Sequence, residues 1–149
     1  MSRAKRMHVV QKVTDERESR QAAQLGASQR QVLEAERKLL ELERYQSDYQ
    51  REFRTRAQSG GSSLGLRDFH AFLARLNEAV IQQKLILQRA RQELEAERRR
   101  WQSAAQKANV VRHVVDQWTA DERRAGARRE QHELDERAQR SVNKQMHDL

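Results

Sequence analysis

A chain of 149 residues is long enough for one ordinary domain, but 36% apolar, 35% charged and 5% aromatic residues leave too little apolar surface for a thick core. Proline is absent and glycine occurs five times, which excludes the many tight turns of a β-rich or α/β domain. Cysteine is absent, so disulfides and thiolate chemistry are excluded, and the net charge of +8 favours acidic partners.

The composition, dominated by Arg, Gln, Ala, Glu and Leu, reads as long helices. The opening MSRAKRMHVVQKV carries Arg3, Lys5, Arg6 and Lys12 but no apolar run of signal-peptide length. No segment approaches the ~20 apolar residues of a membrane span, so the chain is expected to be soluble and cytoplasmic.

A first helix is predicted over about residues 3–57. Within it Leu25, Ser28, Val32, Ala35, Leu39, Leu42, Gln46, Tyr49 and Phe53 fall at alternating steps of three and four. The run Gln58-Ser59-Gly60-Gly61-Ser62-Ser63-Leu64-Gly65 has loop chemistry and predicts a turn over about 58–66, with Ser63 or Asp68 as a helix cap. A phosphate-binding loop needs a preceding strand and a following Gly-Lys-Ser/Thr, and neither is present.

A second helix is predicted over about 67–140. The same rhythm runs through Phe69, Leu73, Leu76, Val80, Gln83, Leu87, Ala90 and Leu94. It continues through Glu97, Trp101, Ala104, Ala108, Val111, Val115 and Trp118. Two heptad stripes joined by a short turn predict an all-α antiparallel two-helix coiled-coil hairpin, a single domain over 1–149. A turn centred between Gly61 and Gly65 sets the first residues against positions 119 to 127, so the second helix outlasts the first. Its tail beyond about 120 is then unpaired. Register is open by one heptad, with a preference for Gln46 facing Gln83, where two buried amides satisfy each other.

Several apolar residues lie beside the seam. Tyr45, Phe72, Ala79 and Ile86 each sit one step before a seam position, and in an antiparallel pair these positions line one flank. They predict an aromatic and aliphatic patch near the turn, a docking surface by its chemistry. Leu33 and Leu40 either widen the core or face outward; Ile81 and Leu85 add apolar surface elsewhere. The basic start and Arg123, Arg124, Arg128 and Arg129 come together at the other end. They read either as a solvated face or as a tip received by an acidic cavity or ring.

No catalytic site assembles. His8, His70, His113, His132 and His147 never fall at metal-ligand spacing, and His132-Glu133 lacks the second histidine of a zinc-protease motif, with Glu136 in its place. No cofactor is implied. The run Arg98-Arg99-Arg100 and the positive charge leave a nucleic-acid-binding coiled coil as an alternative. Interleaved acidic residues and the lack of a groove-reading or base-stacking motif speak against it.

Tyr45-Gln46-Ser47-Asp48-Tyr49 before the turn, and Phe69-His70-Ala71-Phe72-Leu73-Ala74-Arg75-Leu76-Asn77-Glu78-Ala79-Val80 after it, resemble the flagellar export protein FliJ of bacterial type III secretion. The resemblance is clearest from about Leu25 to Trp101. It implies a cytoplasmic antiparallel coiled coil, similar to the central shaft of rotary ATPases, on the cytoplasmic side of the inner membrane at the export apparatus. The implied partners are the hexameric export ATPase, with both termini directed into its ring, the cytoplasmic domain of the export-gate protein FlhA, and empty export chaperones; no nucleic acid is expected. The family's gate-binding surface falls here on Leu42, Tyr45, Tyr49, Phe72, Leu76 and Ala79. The match departs at Lys38 and Gln83, where the family pattern has Gln and His. The equivalent stalk of a virulence secretion system would share the same physics.

Overall fold

The computed structural model describes residues 2–148. Two helices account for nearly all of them: α1, Arg3–Gln58, and α2, Ser63–His147, with no strand among the described residues. They pack against each other as an antiparallel coiled-coil hairpin. Uninterrupted helix follows from a chain without proline, and it is supported along its surface by Arg–carboxylate pairs three and four residues apart. Arg37 meets Glu34 at 2.7 Å, Arg56 meets Glu52 at 3.0 Å and Arg124 meets Asp121 at 2.6 Å. Such pairs contribute a few tenths of a kcal/mol each.

The reversal is tighter than the sequence predicts. Ser59–Ser62 alone connect the helices, and Ser63, Leu64, Gly65 and Leu66 already belong to α2. Gly60 takes the left-handed conformation, φ +74°, and the Gly61 amide then donates to the Arg56 carbonyl at 3.1 Å, closing the C-terminus of α1. Ser62, not Ser63 or Asp68, caps α2: its Oγ accepts from the Gly65 amide at 3.2 Å. Ser2 does the same for α1, accepting from the Lys5 amide at 3.2 Å.

The chain divides into two compact units, Arg20–Gln102 around the turn and Met1–Ser19 with Ser103–Leu149 around the termini. In the turn unit the buried centre is Val32, Ala35 and Leu87, with Leu39, Ala90 and Leu94 packed on it. All the seam positions named from the sequence in this unit are buried or half-buried, including the polar Ser28, Gln83 and Glu97.

Register departs from the predicted amide pair. Gln46 does not face Gln83: its Nε2 donates to Asn77 Oδ1 at 2.8 Å, and the buried Gln83 amide donates to the Ala35 carbonyl at 3.2 Å. The short turn is the cause. A reversal centred between Gly60 and Gly61 leaves no slack for the one-heptad alternative, and the Tyr49–Phe69 and Phe53–Phe69 contacts lock the helices beside it.

In the terminal unit Ala4, Ala104, Ala108 and Val115 are buried. Opposite the α2 seam, α1 presents Met7, Gln11, Thr14 and Glu18, all half-buried, in phase with the stripe that starts at Leu25. Arg112 bridges the two helices, bonding Asp15 at 2.9 Å and Glu18 at 2.8 Å. These bonds, the Asp15 one foremost, hold the guanidinium above its ordinary pKa against the opposing effect of burial. The α1 amide of Ala4 donates to Glu122 Oε1 at 3.3 Å, within the span expected to face the first residues. From Asp121 onward every described residue except Gly126 is exposed, although the helix continues to His147.

Candidate functional site

Near the reversal α1 and α2 interleave their aromatics. The Tyr49 ring lies 4.8 Å from Phe72 and 5.4 Å from Phe69, both tilted, and Phe53 stacks on Phe69 at 5.7 Å with an interplanar angle of 17°. His70 meets Phe53 at 5.8 Å, and the Arg56 guanidinium sits 5.1 Å over Phe69. Tilted and offset rings place positive edges against negative faces, so each pair adds about 0.5–1.5 kcal/mol beyond its burial. The cluster is a stiff platform at the end of the seam.

Phe72 belongs to this platform on one face and to the surface on the other, remaining 43% exposed. Tyr45, one turn before Tyr49, is 58% exposed and joins none of the aromatic contacts. Leu42, Leu76, Ala79 and Tyr49 are half-buried. The six residues expected to form the gate-binding surface therefore split into two kinds. Leu42, Tyr49, Leu76 and Ala79 are half-buried, while Tyr45 and Phe72 are exposed. Sequence reading pairs Phe72 with Tyr45; the structure packs Phe72 on Tyr49 instead. Phe53, Phe69, His70 and Arg56 complete the platform. Phe53 and Phe69 are seam positions in the sequence, and aromatics in the second turn on either side of the reversal were the signal that they would meet.

Leu33 and Leu40, left open between core and surface, are 64% and 56% exposed and do not widen the seam. Ile81, Leu85 and Ile86 are exposed as well, at 53%, 41% and 49%.

The basic residues of the terminal unit differ in how they are engaged. The Arg3 guanidinium stacks over the Trp118 ring at 4.0 Å, a cation–π contact that covers the last seam aromatic. Arg124 pairs with Asp121, and Arg128 donates to the Arg124 carbonyl at 3.4 Å. Lys5, Arg6, Lys12, Arg123 and Arg129 have no side-chain ion pair among the described residues. Val9, Val10 and Val13, which carried no sequence argument, are exposed at 59%, 41% and 49% on α1 beside these cations.

Among the described residues no group of three or more His, Cys, Asp or Glu is placed to hold a metal ion. Among the described residues no helix is long and apolar enough to cross a membrane.

The fold defines the class, an antiparallel two-helix coiled-coil hairpin. The family model of the flagellar FliJ protein matches residues 3–147, nearly the whole chain, and the chain belongs to that family. Membership makes it a structural component of the flagellar type III export apparatus. No curated protein and no solved structure matches it.

Proposed function

We propose that the chain is a coupling stalk of the export apparatus, peripheral on the cytoplasmic side of the inner membrane. Its patch of Leu42, Tyr45, Tyr49, Phe72, Leu76 and Ala79 binds the cytoplasmic domain of the gate protein FlhA. Its terminal unit, with Arg3, Lys5, Arg6, Lys12, Arg123, Arg124, Arg128 and Arg129, enters the ring of the export ATPase hexamer. Empty export chaperones are handled on the same molecule.

The observation that carries the gate reading is the exposure of Tyr45 and Phe72, 58% and 43%, beside an aromatic platform that holds Phe72 in place. Aromatics presented rigidly lose little conformational entropy on binding and dominate interface energetics. Uncompensated cations at the terminal unit support the ring reading, because they match an acidic ring lining and steer association at low salt.

Co-purification of the FlhA cytoplasmic domain with the wild-type chain and with Tyr45→Ala and Phe72→Ala tests the patch. The variants are expected to lose the gate domain while remaining helical, and undiminished recovery would reject the assignment. Removal of residues 122–149 is expected to weaken association with the ATPase hexamer; an unchanged complex would reject ring insertion.

A further inference from the structure

The aromatic patch draws on residues one step before a seam position, and the opposite flank of the turn unit is left without a role. There the residues one step after a seam position are Glu36 and Glu43 on α1, and Lys84 and Arg91 on α2. Leu33 and Leu40 join Glu36 and Glu43 at steps of three and four, so these four share one face of α1. Ile81 and Gln88 join Lys84 and Arg91 on α2 in the same rhythm. The Glu36–Arg91 bond at 3.3 Å brings the two stripes to one side of the hairpin. A groove of about 510 Å³ runs between them at Lys84, Gln88 and Arg91, with Leu39 and Leu87 at its base.

Both stripes carry apolar side chains that the hairpin leaves uncovered: Leu33, Leu40 and Ile81 are exposed. The charges are segregated by helix, carboxylates on α1 and cations on α2. Glu36 and Arg91 engage each other, whereas Glu43 and Lys84 form no ion pair among the described residues. The contacts Gln46–Asn77 and Ala35–Gln83, on either side, place Leu40 level with Ile81 along the helices. One flank thus holds an apolar side chain and an uncompensated charge on each helix, the two charges being opposite in sign.

We propose that this flank is the contact between two copies of the chain, related by a two-fold axis parallel to the helices. Such an axis lays α1 of each copy against α2 of the other without changing their level. Leu40 of each copy then meets Ile81 of the other, and Glu43 of each meets Lys84 of the other, so the patch complements itself twice. The four helices pack at the ~8–10 Å of an ordinary bundle. A two-fold axis across the helices would instead set α1 against α1 and carboxylate against carboxylate, which charge repulsion disfavours. The net charge of +8 opposes association at long range. Ions screen it beyond ~8 Å at physiological salt, and on the flank itself Glu36 and Glu43 offset Lys84 and Arg91. Pairing across this flank leaves Tyr45 and Phe72 of both copies facing outward, so the dimer presents the aromatic patch twice. The flank shares no residue with that patch, and the proposal stands or falls independently of gate binding.

The test is sedimentation equilibrium of the full chain and its variants at concentrations up to ~0.5 mM, because a contact of a few side chains falls in the weak, transient class. The wild-type chain is expected to dimerise. Glu43→Lys and Lys84→Glu are each expected to weaken the dimer about tenfold or more, since each sets like charges together twice. An equimolar mixture of these two variants is expected to restore it. In the mixed dimer the two altered residues meet as an opposite-charge pair, and the other pair is unaltered. Leu40→Ser/Ile81→Ser is expected to abolish association, and Tyr45→Ala/Phe72→Ala to leave it unchanged. None of the substituted side chains is buried, and circular dichroism of each variant checks that the helix content is intact. A wild-type chain that stays monomeric overturns the proposal. A dimer indifferent to Glu43→Lys and Lys84→Glu, or a mixture no stronger than either variant alone, also overturns it. Loss with Tyr45→Ala/Phe72→Ala moves the contact to the aromatic patch and overturns it as well.

Discussion

Glu97 occupies a seam position, is only 8% exposed, and leaves one carboxylate oxygen, Oε2, buried without a hydrogen-bond partner among the described residues. Replacing it with leucine is expected to stabilise the chain. A buried acceptor left unpaired costs about 1–3 kcal/mol, and that cost disappears. Leucine burial at the same place contributes up to ~1.5–3 kcal/mol. Against this stand the lost Glu97–Arg100 bond and the imperfect fit of a branched side chain. Arg100 is half exposed and retains Glu93 at 3.3 Å, so that loss is small. Imperfect packing removes up to ~1.5 kcal/mol or more. The balance is about 2 kcal/mol in favour of Glu97→Leu, or an upward shift of about 4–8 °C in Tm for a chain of this size. Thermal unfolding followed by far-UV circular dichroism measures it, with sedimentation confirming that the variant keeps the wild-type association state. An unchanged or lowered Tm in a variant of unchanged association state would refute the reasoning, because the seam would then be using the charge.

Other consequences follow at the turn and at the termini. Gly60→Ala introduces a Cβ into open space, so its whole cost is the left-handed backbone, about 1–2 kcal/mol by denaturant unfolding. Ser62→Ala removes the cap on the Gly65 amide; a loss of about 0.5–2 kcal/mol is expected, with faster hydrogen exchange confined to the first turn of α2. Arg112→Met breaks the bonds to Asp15 and Glu18, and is expected to lower Tm at low salt by an amount that shrinks as salt screens the wild-type pairs. A Tm gap independent of salt would mean that Arg112 acts through packing alone.

The seam was legible where it is apolar. From Leu25 to Phe53 and from Phe69 to Trp118 the three–four rhythm is carried by Leu, Val, Ala and aromatics, and the structure buries or half-buries every one of those positions. Upstream, the same phase continues through Gln11, Thr14, Glu18 and Gln21, whose polarity hides it; there Arg112 ties the helices ionically. The turn was visible as a glycine–serine run but not in extent, because Ser63-Leu64-Gly65 looks like loop and is helix once Ser62 caps it. Register could not be read from periodicity, since a heptad pattern looks the same after a shift of seven residues. Aromatic rings beside a four-residue reversal decide it, and only the pairing of helices brings Tyr49 onto Phe72. Exposure of Tyr45 and Phe72 followed from their places beside the seam. Which cations stay free in the terminal unit did not, because Arg3 spends itself on Trp118.

Hydroxyl-radical footprinting of the full chain, alone and with each purified partner, tests the stalk account most directly, since side-chain oxidation reports exposure residue by residue. The FlhA cytoplasmic domain is expected to protect Tyr45 and Phe72 and leave Met7 and Trp118 as reactive as in the free chain. The ATPase hexamer is expected to do the reverse. Protection of Met7 and Trp118 by the gate domain, or of Tyr45 and Phe72 by the ATPase, would contradict it.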